Sequence, residues 1–250
     1  MLTSRYTRGR CTTACAVRRA VIVLLLAAAL LTACVPVPAA EPTAAPPPGI
    51  QASAVPEIVS DCDLTPVAQP TMPAEIPGYV QQDPATGLHM TGRPQLIDLA
   101  TYRLQVTGLV DRPLSLTYDE LRCMPKVVQE CKLVCPGFFQ DIATWGGVPL
   151  NYVLSLAGVQ PGAQYILMVS ADGYWTSLPL GDALAQENFL AYEQTGKPLP
   201  VLHGFPVRAV LPLQPGGKWV KWLTEIQVVE AEPRLGPDPS LVFPTAEPGS

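Results

Sequence analysis

The sequence predicts an α+β fold with a mixed sheet and short helices. Strand-like apolar patterns recur from Tyr102 onward, and short helical segments lie between them. Strands and helices do not alternate in a βαβ rhythm, which argues against a doubly wound parallel sheet. Residues 96–230 supply enough chain for one hydrophobic core.

The first half of this domain is predicted as a strand, a capped helix and a second strand. Tyr102–Gly108 alternates between apolar and polar residues, as a half-buried strand does. In the helix, Thr117 is the expected N-cap and Glu120 stands at the third helical position, the pattern of a capping box. Val127–Val134 is the second strand, and the stretch that begins at Trp145-Gly-Gly is expected to be a loop.

The second half is predicted to contain two short helices and four strands. Gly158 follows the first helix, as is typical of a helix end. Ala171-Asp-Gly-Tyr174 is a turn signal between two of the strands. The helices are expected at 150–156 and 180–186, and the strands at 165–169, 175–178, 207–211 and 219–229.

Three further segments flank the domain. Residues 1–33 have the pattern of an export signal. Five arginines and no acidic residue come first, and an apolar run follows that is too short to span a membrane fully. Residues 34–95 are predicted to be a proline-rich tether and an arm that lies over the domain, with a hypothetical anchor at Cys62. Residues 231–250 are predicted to be a disordered proline-rich tail.

The export signal ends in Leu31-Thr-Ala-Cys34, which resembles the bacterial lipobox. The resemblance implies cleavage before Cys34, a lipid on its sulfur, and an extracytoplasmic protein anchored to the bacterial cell membrane. The alternative is an apolar run that stays uncleaved as an anchor. Removal of residues 1–33 leaves 11 basic and 21 acidic residues, a formal charge of −10. An acidic exported domain with no basic run is a poor candidate for nucleic-acid binding.

Four cysteines remain in a compartment that permits disulfides: Cys62, Cys123, Cys131 and Cys135. Cys131 and Cys135 are poor partners if one continuous strand holds both. Four strand steps separate their Cα atoms by about 13 Å, whereas a disulfide allows at most about 7 Å. If Cys135 is a metal ligand, Cys62 is expected to pair with Cys131 or with Cys123.

Cys135 stands where the second predicted strand ends and Pro136-Gly137 begins a turn. A cysteine in this place is held by rigid backbone on one side and exposed on the other, as soft metals and redox chemistry require. The alternative is a buried structural cysteine or half of a disulfide, since free cysteine is among the most buried residue types.

Two later stretches hold three of the domain's few basic residues around a Gly-Gly turn. They are His203-Gly-Phe-Pro-Val-Arg208 and Gly216-Gly-Lys-Trp-Val-Lys-Trp222. Arg208, Lys218 and Lys221 beside exposed backbone N–H groups suit a phosphate. The alternative is that the two lysines are solvated strand residues and that His203 caps a turn.

Seven landmarks occur in order: Gly108-Leu-Val-Asp-Arg-Pro-Leu-Ser-Leu, Cys135-Pro-Gly-Phe-Phe with Trp145-Gly-Gly-Val-Pro-Leu, Ala171-Asp-Gly-Tyr, Leu190-Ala-Tyr, Gly196-Lys-Pro-Leu-Pro, His203-Gly-Phe-Pro-Val-Arg and Lys218-Trp-Val-Lys-Trp-Leu. Together they resemble the molybdopterin-binding domain of the sulfite oxidase family, which includes the exported protein-methionine-sulfoxide reductase catalytic subunits. The resemblance covers about residues 97–230. It implies a sulfite-oxidase-type fold and a Mo-molybdopterin cofactor, with the molybdenum held by the pterin dithiolene and one protein thiolate.

The resemblance also implies roles for single residues. Cys135 falls on the position of the molybdenum ligand and would be the catalytic residue. Arg208, Lys218 and Lys221 would bind the cofactor's phosphate, and Trp219, Val220 and Lys221 fall on the segment that wraps it. His203 falls on a polar position that contacts the pterin, and Ser170 falls near a further cofactor contact.

Departures from the family bear on the substrate and the partner. Sulfite oxidases carry substrate-binding arginines just after the ligand cysteine, where this chain has Pro136-Gly-Phe-Phe. A dianion would therefore meet an apolar wall. Phe138, Phe139 and Tyr174 are expected to line a pocket that suits a small sulfoxide or thioether. The sequence has no haem-attachment motif, so electrons would pass to or from a separate electron-transfer partner.

Many family members also have an N-terminal segment with asparagine and aromatic residues that closes over the pterin. Before Tyr102 the one polar stretch here is Gly87–Arg93. The leading hypothesis is a membrane-tethered, extracytoplasmic molybdenum oxidoreductase that performs oxygen-atom transfer on a small-molecule substrate. The alternative is a cofactor-free lipoprotein binding module that keeps the fold, which the shortened arm and the missing arginines favour.

Overall fold

The computed structural model describes Cys62 and residues 64–233 of the 250-residue chain. The predicted signal peptide 1–33, the lipidation site Cys34, the tether and most of the tail lie outside the described residues. Within the described part of the chain, no helix is long and apolar enough to cross a membrane.

The described residues form ten strands and three α-helices, together with short 3₁₀ turns at Val201–His203 and Gly216–Lys218. In chain order the elements are β1 (Leu104–Gly108), β2 (Leu114–Leu116), α1 (Tyr118–Cys123), β3 (Val127–Cys135), β4 (Phe139–Pro149), α2 (Leu150–Ala157), β5 (Tyr165–Ser170), β6 (Trp175–Pro179), α3 (Leu180–Ala183), β7 (Phe189–Gln194), β8 (Lys197–Pro198), β9 (Arg208–Val210) and β10 (Leu223–Val229).

The strands make two sheets. The first has the order β2-β1-β10-β5-β6, and it is mixed because β1 pairs with β10 in parallel while its other pairs are antiparallel. The second has the antiparallel order β3-β4-β7-β8, and β9 also pairs with β7. Both sheets bury side chains in one hydrophobic core. The predicted α+β class with a mixed sheet and short helices is confirmed.

Local sequence signals account for the helix ends. Thr117 Oγ1 accepts a hydrogen bond from the Glu120 N–H, and the Glu120 carboxylate accepts one from the Thr117 N–H, which completes the predicted capping box of α1. Gly158 ends α2 in the left-handed region, with φ of 70°. Helix α3 is shorter than predicted because the Asn188 side chain donates to the Asp182 carbonyl at 2.6 Å and the chain turns into β7.

Two predicted elements are wrong. The Trp145-Gly-Gly stretch is not a loop but the central part of β4, which pairs with β3 on one side and β7 on the other. Gly147 permits this because a Cβ there would collide with the carbonyl oxygen of Leu190. The strand predicted at 219–229 begins only at Leu223, since Trp222 takes a φ of 49°, which strand geometry does not allow. Strand β7 occupies a stretch where no strand is predicted.

We call residues 64–95 the arm. Cys62, just before it, forms a disulfide with Cys123 at the end of α1, with 5.7 Å between the Cα atoms. This is one of the two expected pairings. Cys131 and Cys135 are both free and lie on the continuous strand β3, as the spacing argument predicts. Met90 of the arm is buried against Leu202 and Trp222, so the arm packs on the domain near the segment that follows β9.

Candidate functional site

A cavity of about 110 Å³ opens beside the end of β3. Its wall combines the thiol of Cys135, the turn after β5, the Gly-Gly turn before β10 and two parts of the arm. The lining residues are Tyr79, Thr91, Gly92, Cys135, Ser170, Asp172, Tyr174, Gly216, Gly217, Trp219, Val220, Lys221 and Trp222.

Cys135 is the last residue of β3 and is half-buried. The chain turns directly after it, and the Phe138 N–H donates to the Cys135 carbonyl at 3.0 Å. The sulfur lies against Gly216, where any Cβ would collide with Sγ. Burial raises the pKa of the Cys135 thiol and the charge of Asp141 adds to this, while the charges of Arg208 and Lys221 oppose it. The thiol is thus rigidly presented to the cavity with two cations near it.

Arg208 is the first residue of β9 and only 3% exposed. Its guanidinium donates to the carbonyls of His203 at 3.1 Å and Trp219 at 3.4 Å, and lies 4.6 Å from the ring centroid of Trp145. Within the described residues its Nε atom has no hydrogen-bond partner. Burial lowers the pKa of Arg208 to about 10. A buried cation with an unused donor beside the cavity is a place for an anion.

Lys221 lines the cavity and is 9% exposed. Its ammonium donates to the carbonyl of Thr91 in the arm and to that of Leu202 at 3.2 Å, and lies 4.7 Å from the ring centroid of Trp222. Burial, followed by the charge of Arg208, lowers its pKa well below the usual value. It forms no ion pair with any residue that the structure describes. Two buried cations therefore stand close together, and an anion between them would relieve the cost of their burial.

His203 faces the arm and does not line the cavity. Its Nε2 atom lies 2.9 Å from Oδ2 of Asp83 and 2.8 Å from Oγ1 of Thr86, and the residue is 1% exposed. Burial, with the charge of Lys221 as the next cause, lowers the pKa of His203 to about 4. The imidazole is thus neutral at pH 7 and joins the arm to the stretch that leads into β9.

The other predicted site residues divide into two groups. Those that line the cavity with Cys135 and Lys221 are Ser170, Tyr174, Trp219 and Val220. Lys218 lies outside the lining and donates to the Ser177 carbonyl at 2.6 Å. The prediction that Phe138 and Phe139 line the pocket does not match the structure. Phe138 is 64% exposed because it sits at the turn between β3 and β4, and Phe139 stacks on His89 with 4.4 Å between ring centroids.

The sequence pattern missed the part of the site that the arm supplies. Tyr79, Thr91 and Gly92 line the cavity. Next to it, His89 Nδ1 lies 2.6 Å from Oδ1 of Asp141, and the His89 N–H donates to Oδ2 of the same carboxylate at 2.8 Å. The one available signal was the polar stretch Gly87–Arg93, which holds three of these residues.

The side chains near the cavity limit which metal or cofactor it can hold. No three His, Cys, Asp or Glu side chains cluster as metal ligands anywhere in the described residues. At the cavity the chain offers one soft sulfur, from Cys135, and the buried cation Lys221. The second buried cation, Arg208, is not in the lining but donates to the carbonyl of Trp219, which is. This set suits a soft metal that is held by one thiolate and is part of a larger anionic group.

Comparison with known proteins identifies that group. A family described as the oxidoreductase molybdopterin binding domain matches residues 90–235. The chain is 36% identical over 141 residues to an uncharacterized oxidoreductase, YuiH, of Bacillus subtilis, covering 56% of this chain and 71% of YuiH. It is 34% identical over 137 residues to a putative protein-methionine-sulfoxide reductase subunit, YedZ1, of Azospira oryzae, covering 55% of this chain and 52% of YedZ1.

A solved structure supports the fold. The sulfane dehydrogenase SoxCD from Paracoccus pantotrophus superimposes with a TM-score of 0.52 at 22% identity, covering 69% of this chain and 57% of that chain. The chain spans only about half the length of YedZ1 and 20% of a nitrate reductase from Volvox carteri. The sulfite-oxidase-type fold and the expected resemblance are confirmed. The chain belongs to the oxidoreductase molybdopterin-binding domain family, whose cofactor is Mo-molybdopterin.

Proposed function

We propose that this family member is a membrane-tethered, extracytoplasmic oxidoreductase that moves an oxygen atom to or from a small sulfoxide or thioether. The observation that carries the proposal is the half-buried Cys135 thiol in a cavity flanked by the buried cations Arg208 and Lys221. The molybdenum cofactor supplies oxygen-atom transfer coupled to two electrons, and the protein supplies binding, orientation and a shaped pocket.

The residues present fit this cofactor. Cys135 would hold the metal, because its thiol lines the cavity and lies against Gly216, which has no side chain to displace it. Arg208 and Lys221 would hold the phosphate, since one has an unused buried donor and the other is a buried cation. Ser170, Trp219 and Val220 would form the adjoining wall. Lys218 remains a predicted phosphate contact at the edge of this wall.

The lining favours a neutral substrate over a dianion. No arginine is among the lining residues that the structure describes, and Lys221, the one lysine among them, is assigned to the cofactor phosphate. The carboxylate of Asp172 also lines the cavity and would repel an anion. A sulfoxide carries no net charge, so its burial there costs much less than burial of sulfite. The name of the relative YedZ1 is consistent with this substrate class.

The electron route and the location are further parts of the proposal. Two electrons must enter or leave for each oxygen atom transferred, and we assign them to a separate electron-transfer partner. The lipobox-like sequence Leu31-Thr-Ala-Cys34 supports a lipid anchor that holds the domain at the outer side of the cell membrane. Mass spectrometry of the N-terminal peptide tests the lipid on Cys34, and Cys34→Ala is expected to move the protein from the membrane fraction to the soluble fraction.

The decisive experiment is metal analysis with a fluorescent pterin assay on protein isolated from its native exporting host. Wild type is expected to contain about one molybdenum atom and one pterin per chain and to reduce dimethyl sulfoxide with a reduced dye as electron donor. Cys135→Ser is expected to lose the activity and most of the molybdenum while staying folded. Cys131→Ala is the matched control, because it removes the other free thiol of the same strand.

Two results would overturn the proposal. Full activity in Cys135→Ser would exclude the thiolate ligand. A folded wild-type protein without molybdenum or pterin, from a host that makes the cofactor, would point to the alternative of a binding module on the same fold.

A further inference from the structure

We infer that Tyr79, brought to the cavity by the arm, is a specificity-determining residue whose phenol contacts the substrate and donates a hydrogen bond to the sulfoxide oxygen. The inference rests on the proposed function and deepens it, because it names the side chain that recognises the substrate. Tyr79 lies in a segment to which no site residue is assigned by the sequence pattern, and outside the residues that the family match covers.

Two tyrosine side chains share the cavity of the Cys135 thiol. Tyr79, Tyr174 and Cys135 line the same cavity. Burial raises the pKa of Tyr79, and the charge of Cys135 adds to this effect. Tyr79 and Cys135 are likewise among the causes that raise the pKa of Tyr174, after burial. The two phenols therefore share one cavity with the sulfur that would hold the metal.

The backbone holds Tyr79 in place by a closed turn. The Gln81 N–H donates to the Gly78 carbonyl at 2.9 Å, and the Gln81 side chain accepts from the Gly78 N–H at 2.9 Å. Directly after Tyr79, the Val80 N–H donates to the Met90 carbonyl at 2.8 Å. Met90 is 2% exposed in the small cluster with Leu202 and Trp222, so the turn is tied to the wall of the cavity.

The turn also carries backbone strain at the residue after Tyr79. Val80 has a φ of 63°, a left-handed conformation that a β-branched residue rarely adopts. Glycine would take this conformation without strain, yet the sequence places valine there. Strained residues persist where the surrounding structure over-determines them, and they cluster at functional sites. The strain fits a turn whose task is to hold the phenol over the cavity.

The chemistry of a phenol matches the proposed substrate class. A phenol is a neutral hydrogen-bond donor, and the oxygen of a sulfoxide is a neutral acceptor. The carboxylate of Asp172 accepts from the backbone N–H groups of Arg93 at 3.1 Å and Tyr174 at 3.0 Å, and it lines the cavity. Tyr79 would thus supply the hydrogen bond to the sulfoxide oxygen, while the carboxylate of Asp172 in the same cavity would repel an anion.

The test compares Tyr79→Phe, which removes one hydroxyl, with Tyr152→Phe, which does the same at a half-buried tyrosine of α2 outside the cavity. With dimethyl sulfoxide and a reduced dye, Tyr79→Phe is expected to raise KM about fivefold to tenfold and to change kcat less than about twofold. Molybdenum and pterin content should equal those of wild type. Tyr152→Phe should match wild type in every measurement.

A second measurement does not depend on turnover. In cofactor-free full-length protein, iodoacetamide labelling of Cys135, followed by mass spectrometry, is expected to be about fivefold faster in Tyr79→Ala than in wild type, because loss of the ring widens the cavity that both side chains line. An unchanged labelling rate would show that Tyr79 does not shield the thiol and would overturn the inference.

The two proposals fail in different ways. If wild-type protein contains molybdenum and pterin but reduces no sulfoxide, the proposed function is overturned. The proposal that Tyr79 contacts a sulfoxide substrate then fails as well. Wild type that reduces the sulfoxide, combined with an unchanged KM in Tyr79→Phe, would leave the proposed function standing and overturn the role of Tyr79.

Discussion

The imidazole Nε2 of His203 lies 2.9 Å from Oδ2 of Asp83, although 120 residues separate the two in sequence. The carbonyl of His203 also accepts from the guanidinium of Arg208 at 3.1 Å. One buried residue thus connects the arm to the cation that we assign to the cofactor phosphate. Displacement of the arm would disturb Arg208 through this connection.

The first prediction concerns the pH dependence of stability. The pKa of His203 is about 4 in the folded protein and 6.5 in the reference state, because burial and the charges of Lys221 and Arg208 outweigh the attraction of Asp83. Between these pH values the unfolded chain binds a proton that the folded protein does not, so stability falls as pH falls from about 6.5 to about 4. The loss is expected to approach about 3 kcal/mol.

Urea denaturation at pH 7 and at pH 4.5 measures this loss, and His203→Gln is the comparison. The variant is expected to be less stable than wild type at pH 7 but to lose less stability on acidification. The pKa of Asp83 is also lowered, from the reference value of 3.8. Its effect on stability therefore appears below about pH 3.8, outside the pH range of this measurement. Equal losses in wild type and His203→Gln would contradict the prediction.

The second prediction tests the space beside the thiol. Gly216→Ala places a methyl group where it collides with Sγ of Cys135. We expect the variant to fold and to retain less than about a tenth of the wild-type molybdenum, since the methyl group would displace the thiol that would hold the metal. Gly181→Ala is the control, because its Cβ meets nothing within 4 Å, and it should retain molybdenum normally. If Gly216→Ala bound as much molybdenum as wild type, Cys135 would not be the metal ligand.

The third prediction concerns the glycine pair in β4. A Cβ on Gly147 would collide with the main chain at Leu190, whereas a Cβ on Gly146 would meet flexible side-chain atoms of Glu193 and Lys126 at 3.1 Å. Gly147→Ala is therefore expected to lower the free energy of unfolding by about 3 kcal/mol, and Gly146→Ala by less than about 1 kcal/mol. Chemical denaturation of both variants measures the difference, and similar values would argue against the close pairing of β4 with β7.

The fourth prediction concerns the disulfide Cys62–Cys123, which joins positions 61 residues apart. Replacement of both cysteines by serine is expected to lower the free energy of unfolding by about 2–5 kcal/mol, because the unfolded chain is no longer restricted. Dithiothreitol should destabilise wild type by a similar amount and leave the double variant unchanged. A double variant as stable as wild type would mean that the contacts of the arm alone hold it in place.

Much of the fold could be predicted because its signals are local. The capping box of Thr117 and Glu120 and the helix end at Gly158 depend on neighbours within a few residues. The prediction for Trp145-Gly-Gly failed because glycine marks a turn in isolation, whereas here it permits close approach of β7. Nothing local distinguishes these two uses of glycine.

The sequence by itself determined the α+β class and the family, since residue types in a fixed order carry that information, and it predicted the thiol Cys135 with the cations Arg208 and Lys221 as site residues. Only the tertiary structure decided that His203 faces Asp83 and that Tyr79 reaches the cavity. Both depend on where the arm packs after some hundred residues of intervening chain. The arm is positioned by buried polar contacts and by a turn strained at Val80, and these form only once both sheets have assembled the surface that receives it.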